Sequence, residues 1–261
     1  MDRQAVLAAF DEQIRQHPAL NTPDGHIEHD HGVIRSVSGE DGWTGVTWSN
    51  LDEVSADAVI ASQISRFAEL SPPWEWKHYS YDQPPDLPDR LLAAGFKREP
   101  AEALLVAEIA DLTLDVPPPP GIELRAVVDK QGVEALLSVH DEVFGGDHSP
   151  LKQTVLAGLG RQPSTTVGVV AWAGQTPIAA GRVEFHVGTD FASLWGGVTL
   201  PAWRGRGVFR SLVAHRTTLA SARGFRYIQV DASPDSRPIL QRFGFVELAT
   251  TTPFTHPGAG G

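Results

Sequence analysis

The sequence predicts an α+β fold with a mixed sheet, assembled from two successive copies of one element order. Three observations carry this prediction. Residues 194–212 read as an apolar run, a turn at Arg204-Gly205-Arg206-Gly207, and the start of an amphipathic helix with Val208, Leu212 and Leu219 on one stripe. The order strand, helix, strand, helix, Gly-Phe, strand occurs twice, closing at Gly95-Phe96 and again at Gly244-Phe245. Four consecutive prolines, 117–120, stand between the two series as a stiff, extended boundary. These mark a first domain over residues 1–112, a proline-rich linker over 113–121 and a second domain over 122–261. An unrelated α+β domain at the N-terminus is the alternative to a decayed first copy.

Composition narrows the class. The 261 residues are 41% hydrophobic and 20% charged, ordinary for a globular protein. No apolar run approaches the roughly 20 residues that cross a bilayer. The first 18 residues carry acids through their apolar stretch, which suits an amphipathic helix rather than a signal peptide. There are no cysteines, so disulfides, thiolate metal sites and a cysteine nucleophile are excluded and a cytoplasmic setting fits. Thirty-two acids against 21 bases give a net charge of −11, which argues against nucleic-acid binding and mildly favours a cationic substrate.

In the first half, residues 2–17 predict a helix with Val6, Phe10 and Ile14 on one face. Residues 26–38 and 43–49 predict strands joined by a Gly-Glu-Asp-Gly turn. The segment HIEHDH invites a metal reading, with His29 and His31 on one strand face and Glu28 and Asp30 on the other. Alternating histidines on an edge strand are more often solvated, and no metal is expected. Residues 55–70 predict a helix that buries Val59, Ile60, Ile64 and Phe67, capped by Ser55 and stopped at Pro72-Pro73. A strand at 74–81, a short helix at 87–94 and an apolar strand at 103–109 complete this half.

In the second half, a strand is expected at 121–128, then helices at 130–144 and 149–159, the latter with Ser149 as cap and Pro150 at its first position. Residues 165–173 and 178–187 predict a hairpin around 174–177. The strand 194–200 ends at Pro201, and its turn leads into the helix that begins at Val208. The last seven residues, THPGAGG, should fray.

That turn is where chemistry is expected. A glycine turn between a strand and a helix leaves the first helical N–H groups without partners, and the helix dipole adds partial positive charge there. Gly207 lets a ligand approach the backbone, so the turn reads as a phosphate site. The spacing fits neither the P-loop, which needs Lys-Ser or Lys-Thr after the glycines, nor the Rossmann fingerprint, which needs a third glycine and an acidic ribose ligand.

The turn resembles the acetyl-CoA loop of the GCN5-related N-acetyltransferase (GNAT) superfamily: Arg or Gln, two residues, Gly, one residue, Gly or Ala. Arg204 and Gly207 match, and Phe209 occupies the last small position. Downstream, the strand RYIQVDA (226–232) and the segment SPDSRPILQRFGF (233–245) match the family's next strand and its helix ending in Gly-Phe. Ser233 and Ser236 stand where the family often has Asn and Ala. Leu240 stands where it often has the tyrosine that protonates the leaving thiolate. The resemblance runs continuously from residue 121 to about residue 254. It implies the GNAT acyl-CoA N-acyltransferase fold, in two tandem copies with the N-terminal one degenerate. That copy has no glycine loop: its long helix follows Asn-Leu-Asp-Glu-Val-Ser (50–55), acidic where phosphates would sit.

The resemblance also implies site residues. Pantetheine would pair with the backbone of Gly197, Val198 and Leu200, and a backbone N–H of that strand would polarise the thioester carbonyl. The pyrophosphate would meet the N–H groups of Arg206, Gly207, Val208, Phe209 and Arg210, with Arg204, Arg206 and Arg210 adding charge. Ser233 and Ser236 would join the cofactor contacts. For the base, Glu184 shares strand parity with Arg182 and His186, either a cleft constellation or an ordinary solvated face; Asp231 is a second candidate. His140, Asp141 and Glu142 could recognise a cationic acceptor, and Trp195 reads as packing.

The function implied is acetyl-CoA-dependent transfer of an acetyl group to a primary amine. The alternatives are an acyl-CoA-binding regulatory protein with little turnover, favoured by Leu240, and O-acyl or longer-acyl transfer. The expected partners are one acetyl-CoA per chain and an amine acceptor, with no nucleic acid and no membrane. The tandem arrangement is compatible with a monomer, because each chain carries its own pseudo-partner.

Overall fold

The computed structural model describes residues 1–20, 24–38, 42–68, 73–146, 149–161 and 163–257. Helix α1 (Arg3–Phe10) continues into a π-helical turn, Asp11–Arg15, and is followed by β1 (His26–Asp30), β2 (Val33–Val37), β3 (Gly45–Ser49), α2 (Ala56–Phe67), β4 (Trp74–Tyr79), α3 (Leu87–Ala93), β5 (Lys97–Arg98) and β6 (Glu102–Glu108). The chain then forms β7 (Ile122–Ala126), α4 (Lys130–Phe144), α5 (Ser149–Gly160), β8 (Thr166–Ala173), β9 (Thr176–Phe185), β10 (Phe191–Thr199), α6 (Val208–Ala222), β11 (Tyr227–Ala232), α7 (Arg237–Phe243) and β12 (Val246–His256).

Two compact units result, one of residues 105–246 with Met1, the other of residues 2–104 together with 247–261. This differs from the contiguous division at 113–121 that the proline run suggests. The C-terminal strand is the reason. Strand β12 pairs antiparallel with β4, from Thr251↔Tyr79 to His256↔Trp74, and puts fully buried Phe254 into a core with Trp74, Trp76 and Phe96. In the other unit, residues 105–108 of β6 stand beside β11.

Each unit has the same connectivity. In the N-terminal unit β1, β2 and β3 form an antiparallel meander, α2 crosses over, and β4 returns parallel to β3. In the C-terminal unit β8, β9 and β10 form the meander, with β7 antiparallel beside β8 across the α4–α5 connection; α6 crosses over, and β11 returns parallel to β10. Parallel neighbours need such a crossover, so the repeated element order in the sequence becomes a repeated topology.

The stretch 26–38 is not one strand. It folds back at His31 (φ 46°) and Gly32 (φ 81°), the paired positive φ values of a two-residue hairpin turn, with Asp30 opposite Val33. His31 therefore sits in the turn rather than on a face shared with His29. Glu28 instead accepts from Arg66 (2.6 Å), Arg35 (2.5 Å) and His26 (3.0 Å), while Asp30 accepts from Gln63 (3.2 Å). The arginines hold the Glu28 carboxyl down at about 2, against the pull of burial. Helix α2 ends at Phe67. Gly39, Glu40 and Asp41 of the expected turn, Leu70, Pro72 and the tail beyond 257 lie outside the described residues.

In the C-terminal unit the sheet is covered on both faces. Val133, Leu136 and Leu137 of α4 pack on Val170, Ala180 and Val198. On the alternate positions, Val208 and Leu212 of α6 pack on Val169, Ala171 and Ala179. Strand alternation puts these two sets on opposite faces, so α4 and α6 sandwich β9 and β10.

Candidate active site

Strands β10 and β11 part company in mid-course. Their parallel pairing runs only from Phe191↔Tyr227 to Ser193↔Gln229, yet β10 continues to Thr199 and β11 to Ala232. At the same level β10 is irregular on its other edge. Its register with β9 shifts between Trp195 and Val198, so Gly196 and Gly197 both stand opposite Gly181, and Gly196 takes φ +56°. A gap between two strands, bordered by a bulge, exposes backbone polar groups that a regular ladder would consume. The backbone groups that β10 and β11 leave unpaired beyond Ser193 and Gln229 fit a ligand carrying amide groups, such as pantetheine.

The gap leads toward the N-terminus of α6. Gly207 precedes this helix in the left-handed region (φ +86°), as does Gly205 (φ +72°), and no side chain caps the end. Arg206, Gly207 and Arg210 are exposed. The turn thus offers uncommitted N–H groups with positive charge beside them. Two of the expected contributors have other tasks. Arg204 Nε donates to Thr199 O at 3.1 Å, fastening the strand end, and the Arg206 guanidinium lies 4.9 Å over the Trp203 ring. Phe209, in the loop's usual small position, turns its ring edge to Gly197, 3.2 Å from where a Cβ there would stand.

The face of β9, β10 and β11 that carries α4 also carries polar groups. The register puts Arg182 opposite Trp195 and Glu184 opposite Ser193. Ser193 is paired with Gln229, and Asp231 is two residues further along the same face. The structure therefore brings Arg182, Glu184, His186 and Asp231 onto one face, as the parity of residues 182–186 suggests. Arg182 Nε donates to Glu184 Oε1 at 2.6 Å. His186 Nε2 lies 2.8 Å from Ser193 Oγ, which also accepts from Trp195 Nε1 at 2.8 Å. Burial pushes the His186 imidazole below its ordinary range, opposed by Glu184, so a neutral ring is favoured. Ser193, fully buried, went unnoticed in the sequence because it reads as one polar residue in an apolar strand.

Other expected residues are placed elsewhere. Leu200 N–H donates to Ile178 O at 2.9 Å, so that donor is committed to β9. Ser233 and Ser236 bond to one another, Oγ to Oγ at 3.2 Å, in the turn before α7. His140 is 2% exposed and bonds Gly196 O through Nε2 at 2.8 Å, a packing position rather than an acceptor-recognition one; Asp141 and Glu142 beside it are exposed. Leu240 is 2% exposed and belongs to the core.

The corresponding places in the N-terminal unit are filled by the chain itself. The turn before α2 is capped by Asp52, whose Oδ1 accepts from Ser55 N (2.7 Å), Val54 N (3.0 Å) and Ser55 Oγ (2.8 Å). Those bonds lower the Asp52 pKa. The β3–β4 pairing stops at Val46↔Trp76, and the next carbonyl, Thr47 O, accepts from Arg15 Nε at 3.1 Å. Arg15 is buried there with Asp82 and Asp11, each 2.9 Å away. A carboxylate stands at the helix end, and an arginine stands where the strands separate.

Comparison with known proteins bears on the family segment and the fold. Residues 133–245 match the model of the Acetyltransferase (GNAT) family. A GCN5-related N-acetyltransferase from Kribbella flavida superposes with a TM-score of 0.69 over 98% of this chain and 94% of its own, at 18% identity. A tandem GNAT protein from the clavulanic acid biosynthesis pathway gives 0.63 over 99% and 94%, at 12% identity. A GCN5-related N-acetyltransferase from Sphaerobacter thermophilus gives 0.60 over 87% and 78%, at 11% identity. Among curated proteins, no match to this sequence is found. No helix among the described residues is long and apolar enough to cross a membrane. The fold of the chain is thus that of the GCN5-related N-acetyltransferases, and the bulged strand, the parting of β10 from β11 and the open turn before α6 lie in a segment that belongs to the acetyltransferase (GNAT) family.

Proposed function

We propose that the chain is an acetyl-CoA-dependent N-acetyltransferase with one cofactor site, in the C-terminal unit. The observation that carries this reading is the parting of β10 and β11 after Ser193↔Gln229, in line with the uncapped N-terminus of α6. Pantetheine would enter the gap along Gly197 and Val198, with the diphosphate on the N–H groups of residues 206–210 and the charges of Arg206 and Arg210. The bound thioester is already activated. What the chain supplies is orientation, N–H donors for the acyl oxygen and an acceptor for the amine's proton. Glu184, Asp231 and the neutral His186 share the face on which that proton could be taken.

A single site is supported by the contrast between the units: α6 begins uncapped, whereas Asp52 precedes α2 and Arg15 fills the end of the β3–β4 pairing. Calorimetric titration with acetyl-CoA should give a stoichiometry near one; a value near two refutes the single site. Mass spectrometry across a panel of primary amines should then find an acetylated product.

One observation favours a second reading, an acyl-CoA-binding regulator. Leu240, in the core, offers no hydroxyl to protonate the departing thiolate. Tight acetyl-CoA binding with no product from any amine would decide for it.

A further inference from the structure

Beneath the bulge of β10 lies a cation with no acidic partner. Arg216 of α6 is 1% exposed, and among the described residues no carboxylate pairs with it. Its Nη1 donates to Arg182 O at 3.0 Å and to Trp195 O at 3.2 Å, the two carbonyls of the last regular β9–β10 pair before the register shifts. Its Nε donates to Leu212 O, one turn back, at 3.2 Å. Burial, with the nearby charge of Arg182, pulls its pKa down to about 9. An arginine held this way is costly, and persists where the geometry it enforces is needed.

The sequence makes room for it. A Cβ on Gly181 would stand 2.5 Å from Nη1, and one on Gly197 3.0 Å from Nη2. From the opposite face His140 reaches the next carbonyl, Gly196 O, at 2.8 Å, and a Cβ on Gly196 would stand 2.7 Å from the His140 ring. A carbonyl only accepts, so His140 Nε2 carries the proton. Three glycines on two strands thus admit two side chains that hold consecutive carbonyls from the two faces of the sheet.

The peptide planes follow from this. In a trans peptide the N–H points opposite its carbonyl. Fixing Trp195 O fixes the N–H of Gly196, and drawing Gly196 O toward α4 aims the N–H of Gly197 to the α6 side. A donor on each carbonyl also polarises its peptide and makes that N–H a better donor. We propose that Arg216 is a positioning residue for acyl transfer: by holding the carbonyls of Arg182 and Trp195, with His140 opposite, it fixes the peptide planes of the bulge, one of whose N–H groups polarises the thioester carbonyl. Arg216 does not itself touch the acyl group. This inference rests on the acetyl-CoA reading given above.

The test uses the full chain with acetyl-CoA labelled with ¹³C at the acetyl carbonyl, read by NMR, and unlabelled CoA titrated by calorimetry. Bound to the wild-type chain, the carbonyl resonance should move downfield from its free position. In Arg216→Met most of that shift should be lost while CoA affinity is retained, because the phosphate turn is untouched. Gly181→Ala, which leaves the arginine in place but crowds Nη1, should lose the shift as well, and it serves if Arg216→Met does not fold. A folded Arg216→Met, or a folded Gly181→Ala, that keeps the full shift overturns the assignment to Arg216 alone. Absence of CoA binding to the wild-type chain overturns the acyl-CoA reading itself, and this inference with it.

Discussion

Gly207 and Gly224 bracket α6, both in left-handed backbone (φ +86° and +82°); a Cβ on Gly224 would stand in open space and one on Gly207 would meet only Pro119 Cγ, at an ordinary 3.9 Å. Alanine at either should cost about 1–2 kcal/mol through the same backbone strain. Gly207→Ala should in addition lose much of the affinity for CoA, and Gly224→Ala none. Thermal melts paired with calorimetry check this; equal CoA affinity in the two variants would remove the phosphate role of the turn. A second residue reports on pH. His78 in the N-terminal unit is pushed down to about 4 by burial and by the charges of Arg15 and Arg98. Its folded pKa lies below its unfolded value of 6.5, so its contribution is complete above pH 6.5 and is lost as pH falls toward 4. His186, His215 and His256, also lowered, act in the same direction. Denaturant midpoints measured between pH 7.5 and 4.5 should therefore fall. His78→Gln should remove up to roughly 2–3 kcal/mol of that decline; an unchanged pH slope in this variant would show that His78 titrates normally.

Two helices that cross between parallel strands, α2 and α6, differ in how they begin. Helix α6 follows a left-handed glycine and has no side-chain cap, whereas the turn before α2 is closed by Asp52. Asp52→Ala should lower the melting temperature slightly and leave CoA stoichiometry at one, because the end of the β3–β4 pairing still holds Arg15. A second binding event in that variant would mean that the aspartate alone silenced the first copy. The two turns were readable in sequence, since glycine and aspartate act on their own neighbours. The bulge was not. Gly196-Gly197 advertised an unusual backbone, but its partners, His140 and Arg216, arrive from helices 56 residues earlier and 21 residues later.

The two units of the whole molecule are not the two halves of the sequence. Strand β12, through Phe254, completes the core of the N-terminal unit, and residues 105–112 belong to the C-terminal one. A fragment of residues 121–261 would lack the strand that stands beside β11 and would carry a β12 deprived of β4. Its unpaired edge and exposed Phe254 should make it aggregate. Size-exclusion chromatography of the fragment checks this, and a soluble, fully active monomer would refute a structural need for the first 120 residues. In the full chain, Phe254→Ala should destabilise the N-terminal unit by about 3–5 kcal/mol, as for other buried aromatics cut to alanine. Hydrogen exchange should find that loss within residues 2–104.

By itself the sequence determined what is local. The strand–turn–helix that begins at Leu194, the repeated element order, the acidic turn before α2 and the shared face of Arg182, Glu184 and His186 all follow from periodicity and turn chemistry acting over a few residues. Two positive φ values at His31-Gly32 escaped the reading because an alternating polar run looks continuous. Only the tertiary structure decided which strand completes which sheet and which side chains hold the bulge. It also decided that Ser233 and Ser236 bond to one another, that Leu200 N–H bonds to β9 and that His140 holds Gly196 O. Strand partners and buried donors are chosen by packing between residues far apart in the chain, and hydrophobic alternation specifies a face without naming the element that will cover it.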